Sequence, residues 1–135
     1  VNLLVAAIRV AGAIQVLDIA ANLALARRVR CRENLARVSP LVRQIFLVHW
    51  FYVLLVLGIF GVACLQFGPE LAGGSGLGRF LSGVLAIFWL LRAGVQVFYF
   101  DADFRKQNRL GDLTFALSAL YMGVVFAIAA LRPLL

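Results

Sequence analysis

The sequence predicts an all-α integral membrane protein: a four-helix bundle running up-down-up-down with short loops. Three observations predict it. First, 64% of the 135 residues are hydrophobic and 14% are charged, against about half apolar and about a quarter charged in soluble domains. A water-soluble chain this short has no core large enough to hide so much apolar surface. Second, four apolar runs reach the roughly 20 residues that a hydrocarbon layer of roughly 30 Å demands of a helix. Third, the basic residues gather beside the ends of those runs, where they flank a membrane. That placement accounts for the net charge of +7 without nucleic acid as a partner. The length suits one transmembrane domain over residues 1–135, with no separate soluble module.

The first span is expected at about 3–26, interrupted only by Arg9, Gln15, Asp18 and Asn22. The second is expected at about 41–67, with Ser39 as N-cap, Pro40 at the first helical position and Gly68-Pro69 as the stop. The third is expected at about 79–100, and the fourth at about 112–131, opened by Asp112 and closed by Arg132-Pro133. Between the second and third spans, Gly68 to Arg79, with its Gly73-Gly74-Ser75-Gly76 stretch, reads as a flexible turn. It lacks the Lys and the preceding strand of a phosphate-cradling loop. Gly12, Gly58, Gly61, Gly83, Gly94 and Gly123 are candidates for close helix approach.

Arg27, Arg28, Arg30, Arg32, Arg37 and Arg43 crowd the first connection against a lone Glu33, and Arg105, Lys106 and Arg109 occupy the third. The positive-inside rule turns both connections to the cytoplasm and both termini outward. Arg27, Arg28, Arg30 and Arg32 are then placed to touch anionic lipid headgroups. All basic residues but Lys106 are arginine, and Ala, Leu and Gly abound; this composition is associated with a bacterial source, hence an inner membrane. Cys31 and Cys64 fall on opposite sides of the bilayer, so no disulfide is expected. The first apolar run is too long for a signal-peptide core and ends in arginines, so it reads as a span.

The residues lipid should reject carry the functional information. Gln15, Asp18 and Asn22 form one stripe of the first span, and Arg92, Gln96, Tyr99 and Asp103 one stripe of the third. Thr114, Ser118 and Tyr121 share a face of the fourth, and His49 lies in the second beside Trp50, Phe51 and Tyr52. At the helical rise, Asp18 and Arg92 each lie about 13 Å from the cytoplasmic boundary and His49 about 9 Å. An ionised side chain facing hydrocarbon costs about 2.5–3.5 kcal/mol at a helix centre, so opposite charges at matched depth are expected to pair. Two readings follow: a cytoplasmic-side pocket built from Asp18, Asn22, His49, Arg92 and Gln96, or a buried ion pair that only fixes helix register. The outer half carries Arg9 and Gln66, with Arg9 expected to snorkel outward.

His49 is also a candidate axial ligand for haem or chlorophyll, although no second His exists to complete a bis-His site. Asp101 and Asp103 are a weak candidate pair for a divalent cation, and beside Arg105 and Lys106 a solvated loop is the favoured reading. No nucleophile motif or nucleotide fingerprint is present, and the sequence names no cofactor.

Four spans with one acid in the first resemble the small multidrug resistance transporters, where a membrane-embedded glutamate of the first helix exchanges protons for cationic drugs. Asp18 takes that position here. The Arg-rich first connection departs from that family's tight loops, and the likeness stops at topology and one acid. Three functions fit the residues. The first is a non-catalytic multi-pass subunit or accessory protein, packed with other membrane subunits or with copies of itself. The alternative is a small proton- or cation-coupled transporter or channel using the pocket around Asp18 and Arg92. A lipid- or quinone-active membrane enzyme working through His49, Asp101 or Asp103 is third.

Overall fold

The computed structural model describes residues 2–132 and is all-α. Four long apolar helices cross the membrane: α1 (Asn2–Arg28), α3 (Pro40–Gln66), α5 (Gly76–Phe98) and α7 (Arg109–Leu131). Three short helices sit in the connections: α2 (Cys31–Leu35), α4 (Gly68–Ala72) and α6 (Ala102–Gln107). The expected stop at Pro133 and the outward placement of the extreme termini concern residues outside the described ones.

Side-chain caps set the starts of α3 and α5. Ser39 Oγ accepts from Val42 N at 3.4 Å with Pro40 in the first turn, as its sequence position predicts. Ser75 Oγ accepts from Gly78 N at 3.0 Å and starts α5 at Gly76, three residues earlier than expected. Helix α3 ends at Gln66 with Phe67 as its C-cap, just before the expected Gly68-Pro69 stop, and Pro69 then opens α4. The first half of the expected flexible turn is packed: Gly68, Leu71 and Ala72 are buried, Ser82 Oγ donates to Leu71 O at 3.0 Å, and Arg132 donates to Ala72 O, while Gly73, Ser75 and Gly76 are exposed. Gly74 supplies the left-handed residue of that corner, with φ of 82°. At the opposite end Arg30 turns left-handed with φ of 54°, and Asn34 Nδ2 holds the corner by donating to Val29 O (2.8 Å) and Arg30 O (3.1 Å).

Helix α7 corrects the sequence reading. It begins at Arg109, and Asp112, expected to open the span, is a buried residue of its first turn. Asn108 is the residue that precedes the helix.

Two hairpins make the bundle. Helices α5 and α7 pack along their length, as do α1 and α3, and α1 joins the hairpins through α7 and α4. The α1–α3 crossing rests on glycine: a Cβ added to Gly12 would lie 2.8 Å from Gly61 O, and one added to Gly61 would lie 2.7 Å from Val16 Cγ2. Gly123 serves α5–α7 in the same way, its added Cβ falling 2.5 Å from Leu90 Cδ2. Ile8, Ala11, Trp89, Met122 and Phe126 form the core between the hairpins. Among the described residues, no comparable backbone packing joins α3 to α5. Their contact is made by side chains, with Phe60 and Phe88 edge to face at 5.7 Å. That looser side of the bundle is where the site lies.

Candidate functional site

Gln15 closes the floor. It is fully buried, and its Nε2 donates to Ala11 O at 3.2 Å and to Cys64 Sγ at 3.5 Å. Its Oε1 accepts from Trp89 Nε1 at 3.2 Å. One amide thereby ties α1, α3 and α5 where no water can replace a lost partner.

Towards the basic end the hairpins part around a cavity of about 930 Å³. Leu57, Phe88 and Trp89 line its apolar part, and Asp18, Asn22, Arg92 and Gln96 its polar wall. It extends to Arg28 and Val29 on one hairpin and to the segment around Asp101, Phe104 and Arg109 on the other. The cavity therefore runs from mid-membrane to the connections at one face.

Asp18 is 7% exposed, and its Oδ2 has no hydrogen-bond partner among the described residues. Asn22 Nδ2 donates to the Asp18 backbone carbonyl at 2.8 Å and leaves the carboxylate alone. The Arg92 guanidinium lies over the rings of Phe115 (4.4 Å) and Phe100 (4.9 Å) and donates through Nη1 to Gln96 Oε1 at 3.3 Å. Gln96 Nε2 passes a hydrogen bond to Asp112 Oδ1 at 2.8 Å, which also receives Arg105 Nε at 3.0 Å. The amide orientation is dictated by its neighbours, since a guanidinium only donates and a carboxylate only accepts. Arg105 Nη1 further donates to Val97 O at 2.7 Å and secures the end of α5.

This geometry revises the expected pairing. The ion pairs found among the described residues are Arg105–Asp112 at 3.0 Å and the exposed Arg30–Glu33 at 3.9 Å. Asp18 and Arg92 face one cavity and feel each other's charge, but they form no contact pair within 4 Å. Asp112 is the site residue that the sequence reading missed, because a carboxylate at the head of an apolar run reads as a helix cap. The available signal was Asn108, a second residue of a type favoured at helix starts, one turn earlier, although its side chain makes no cap bond and donates instead to Phe104 O at 2.9 Å.

Four of the five expected pocket residues meet: Asp18, Asn22, Arg92 and Gln96. His49 does not join them. It is exposed on the outer surface of α3, with Nδ1 donating to Ile45 O of its own helix at 2.8 Å. Tyr99 is also exposed, and Thr114 faces away from the core, whereas Tyr121 Oη donates to Ala7 O at 2.9 Å and ties α7 to α1. Asp101 lines the cavity mouth while its carboxylate caps α6, accepting from Phe104 N at 3.0 Å; Asp103 is exposed and does not line the cavity. No group of three His, Cys, Asp or Glu side chains suited to a metal ion occurs among the described residues. Arg27, Arg28, Arg30 and Arg32 are all exposed, and Arg28 also reaches the cavity mouth.

No family model, curated protein or solved structure matches this chain. Fold and composition therefore carry the assignment: the chain is an integral membrane protein whose four transmembrane helices pack as a bundle.

Proposed function

We propose that this protein is a small proton- or cation-coupled transporter, and that Asp18 is the group that takes up the proton or cation. One observation carries the reading: a cavity of about 930 Å³ leads from the basic end of the bundle to a buried, unpartnered carboxylate within the first span. A carboxylate serving only helix register would be expected to have its hydrogen bonds satisfied inside the protein. The Arg-rich connections favour the cytoplasmic side for the cavity mouth, where Arg27, Arg28, Arg30 and Arg32 would meet anionic headgroups.

The test is reconstitution of the pure protein in liposomes under an imposed proton or sodium gradient. Flux above empty liposomes, lost in Asp18→Asn, is the expected result. Absence of flux in the folded wild-type protein would rule the reading out.

In that event the non-catalytic subunit reading takes its place, with other membrane proteins or further copies of the chain as partners. It is favoured by α3, which turns most of its surface outward and presents His49 and Tyr52 there. A stable complex after gentle solubilisation would support it, and a chromophore in that complex would reopen His49 as an axial ligand. An enzyme built on His49, Asp101 and Asp103 draws no support, because His49 is remote from the cavity and Asp103 does not line it.

A further inference from the structure

We infer that the cargo held in this cavity is an amphiphile with an oxyanion head, a carboxylate or phosphate, bound by Arg92. The inference rests on the transporter reading of the same cavity and names the chemistry of what it carries.

The charge left free at the site decides the sign of the ligand. Arg28, Arg92, Arg105 and Arg109 line the cavity with Asp18, Asp101 and Asp112. Asp112 is committed to Arg105 and Gln96, and Asp101 to the cap of α6. Among the described residues, Arg28, Arg92 and Arg109 have no carboxylate within 4 Å. Asp18 alone opposes them, so an anion is favoured over a cation.

Arg92 has the form of a receptor. Two aromatic rings hold its guanidinium, and one of its five N–H groups is spent on Gln96. The remaining fork suits bidentate recognition of a carboxylate or phosphate, and aromatic contact suits the weakly hydrated guanidinium. The cavity is far too large for a bare ion, and its deeper part is Leu57, Phe88 and Trp89. An apolar body would lie there.

Trp89 lines the cavity and reports on it directly once Trp50, on α3, is replaced by Phe. In phosphatidylcholine nanodiscs, dibrominated stearate should quench Trp89, and its methyl ester should bind about tenfold more weakly, as loss of a charged hydrogen-bonded contact predicts. Dodecyl phosphate should displace the stearate, which inorganic phosphate at the same concentration should not. Arg92→Gln should weaken stearate binding by about the same factor, with Arg92→Lys retaining part of it. Asp18→Asn should bind stearate more tightly, since it removes the opposing charge.

Equal quenching by acid and ester, stronger quenching by a brominated quaternary ammonium amphiphile, or unchanged binding in a folded Arg92→Gln would overturn the inference. Displacement by inorganic phosphate as effective as by dodecyl phosphate would overturn the amphiphile and leave a free oxyanion. The acid and ester comparison uses the unmodified cavity, so it decides even if an Arg92 variant fails to fold. Stearate binding without any liposome flux would sink the transporter reading alone. Asp18-dependent flux without oxyanion binding would sink this inference alone.

Discussion

Gln15 shows what a single side chain must do in a medium that offers no water. Its amide serves Trp89, Cys64 and a carbonyl of its own helix at once, so replacing it strands a buried indole N–H. Gln15→Leu should destabilise the protein by about 1 kcal/mol, in the range measured for hydrogen bonds between membrane helices. Trp89→Phe in the same background should recover part of that loss in detergent unfolding, whereas strictly additive effects would mean the bond is not made. The spacing of three and four residues places Asp18 and Asn22 on one stripe of α1, and matched depth brings Arg92 and Gln96 to them. Spacing could not reveal that Gln15, one turn deeper, meets the core where the hairpins touch. For His49 the sequence conveys depth but not direction. Helix α3 is apolar on every side, so no polar face orients it, and His49 lies outside the bundle.

At the scale of elements, the glycines divide by what stands opposite them. A Cβ on Gly12 would meet the Gly61 carbonyl at 2.8 Å, and backbone cannot move aside as a side chain can. Gly12→Ala should therefore push α1 from α3 and cost about 1–3 kcal/mol, the usual penalty of overpacking. Gly94 faces open space, and Gly94→Ala should be neutral or stabilising by up to about 1 kcal/mol through helix propensity. Unfolding both variants in one detergent checks the contrast; equal effects would mean that the Gly12–Gly61 crossing is not tight. The four spans were legible from length and apolarity alone, and Ser39 as a cap from its place before Pro40. The start of the last span was not. Two residues of a cap-forming type, Asn108 and Asp112, stand one turn apart at the head of α7, and the ion pair with Arg105 that draws Asp112 inward becomes visible only when α6 folds back beside α7.

The whole molecule is two tight hairpins joined mainly through α1, with α3 and α5 meeting through side chains such as Phe60 and Phe88 on one side. Glycine crossings draw each hairpin together, and Gln15 with Trp89 pins the hairpins to each other near mid-membrane. Towards the basic connections nothing equivalent closes the bundle, and the cavity opens there. The proposed function requires this cavity to link Asp18 to the cytoplasm. Cysteine accessibility at Asn22, one turn from Asp18 on the polar wall, tests it most directly. With Cys31→Ser and Cys64→Ala as background, Asn22→Cys should react with a charged, membrane-impermeant thiol reagent applied from the cytoplasmic face of inverted vesicles. It should stay unmodified when the same reagent is applied to intact cells, while Ser75→Cys in the glycine-rich turn should show the reverse pattern. An Asn22→Cys that reacts from neither face would mean the cavity is closed to water, and one that reacts only from outside would invert the orientation and place Asp18 on the opposite side.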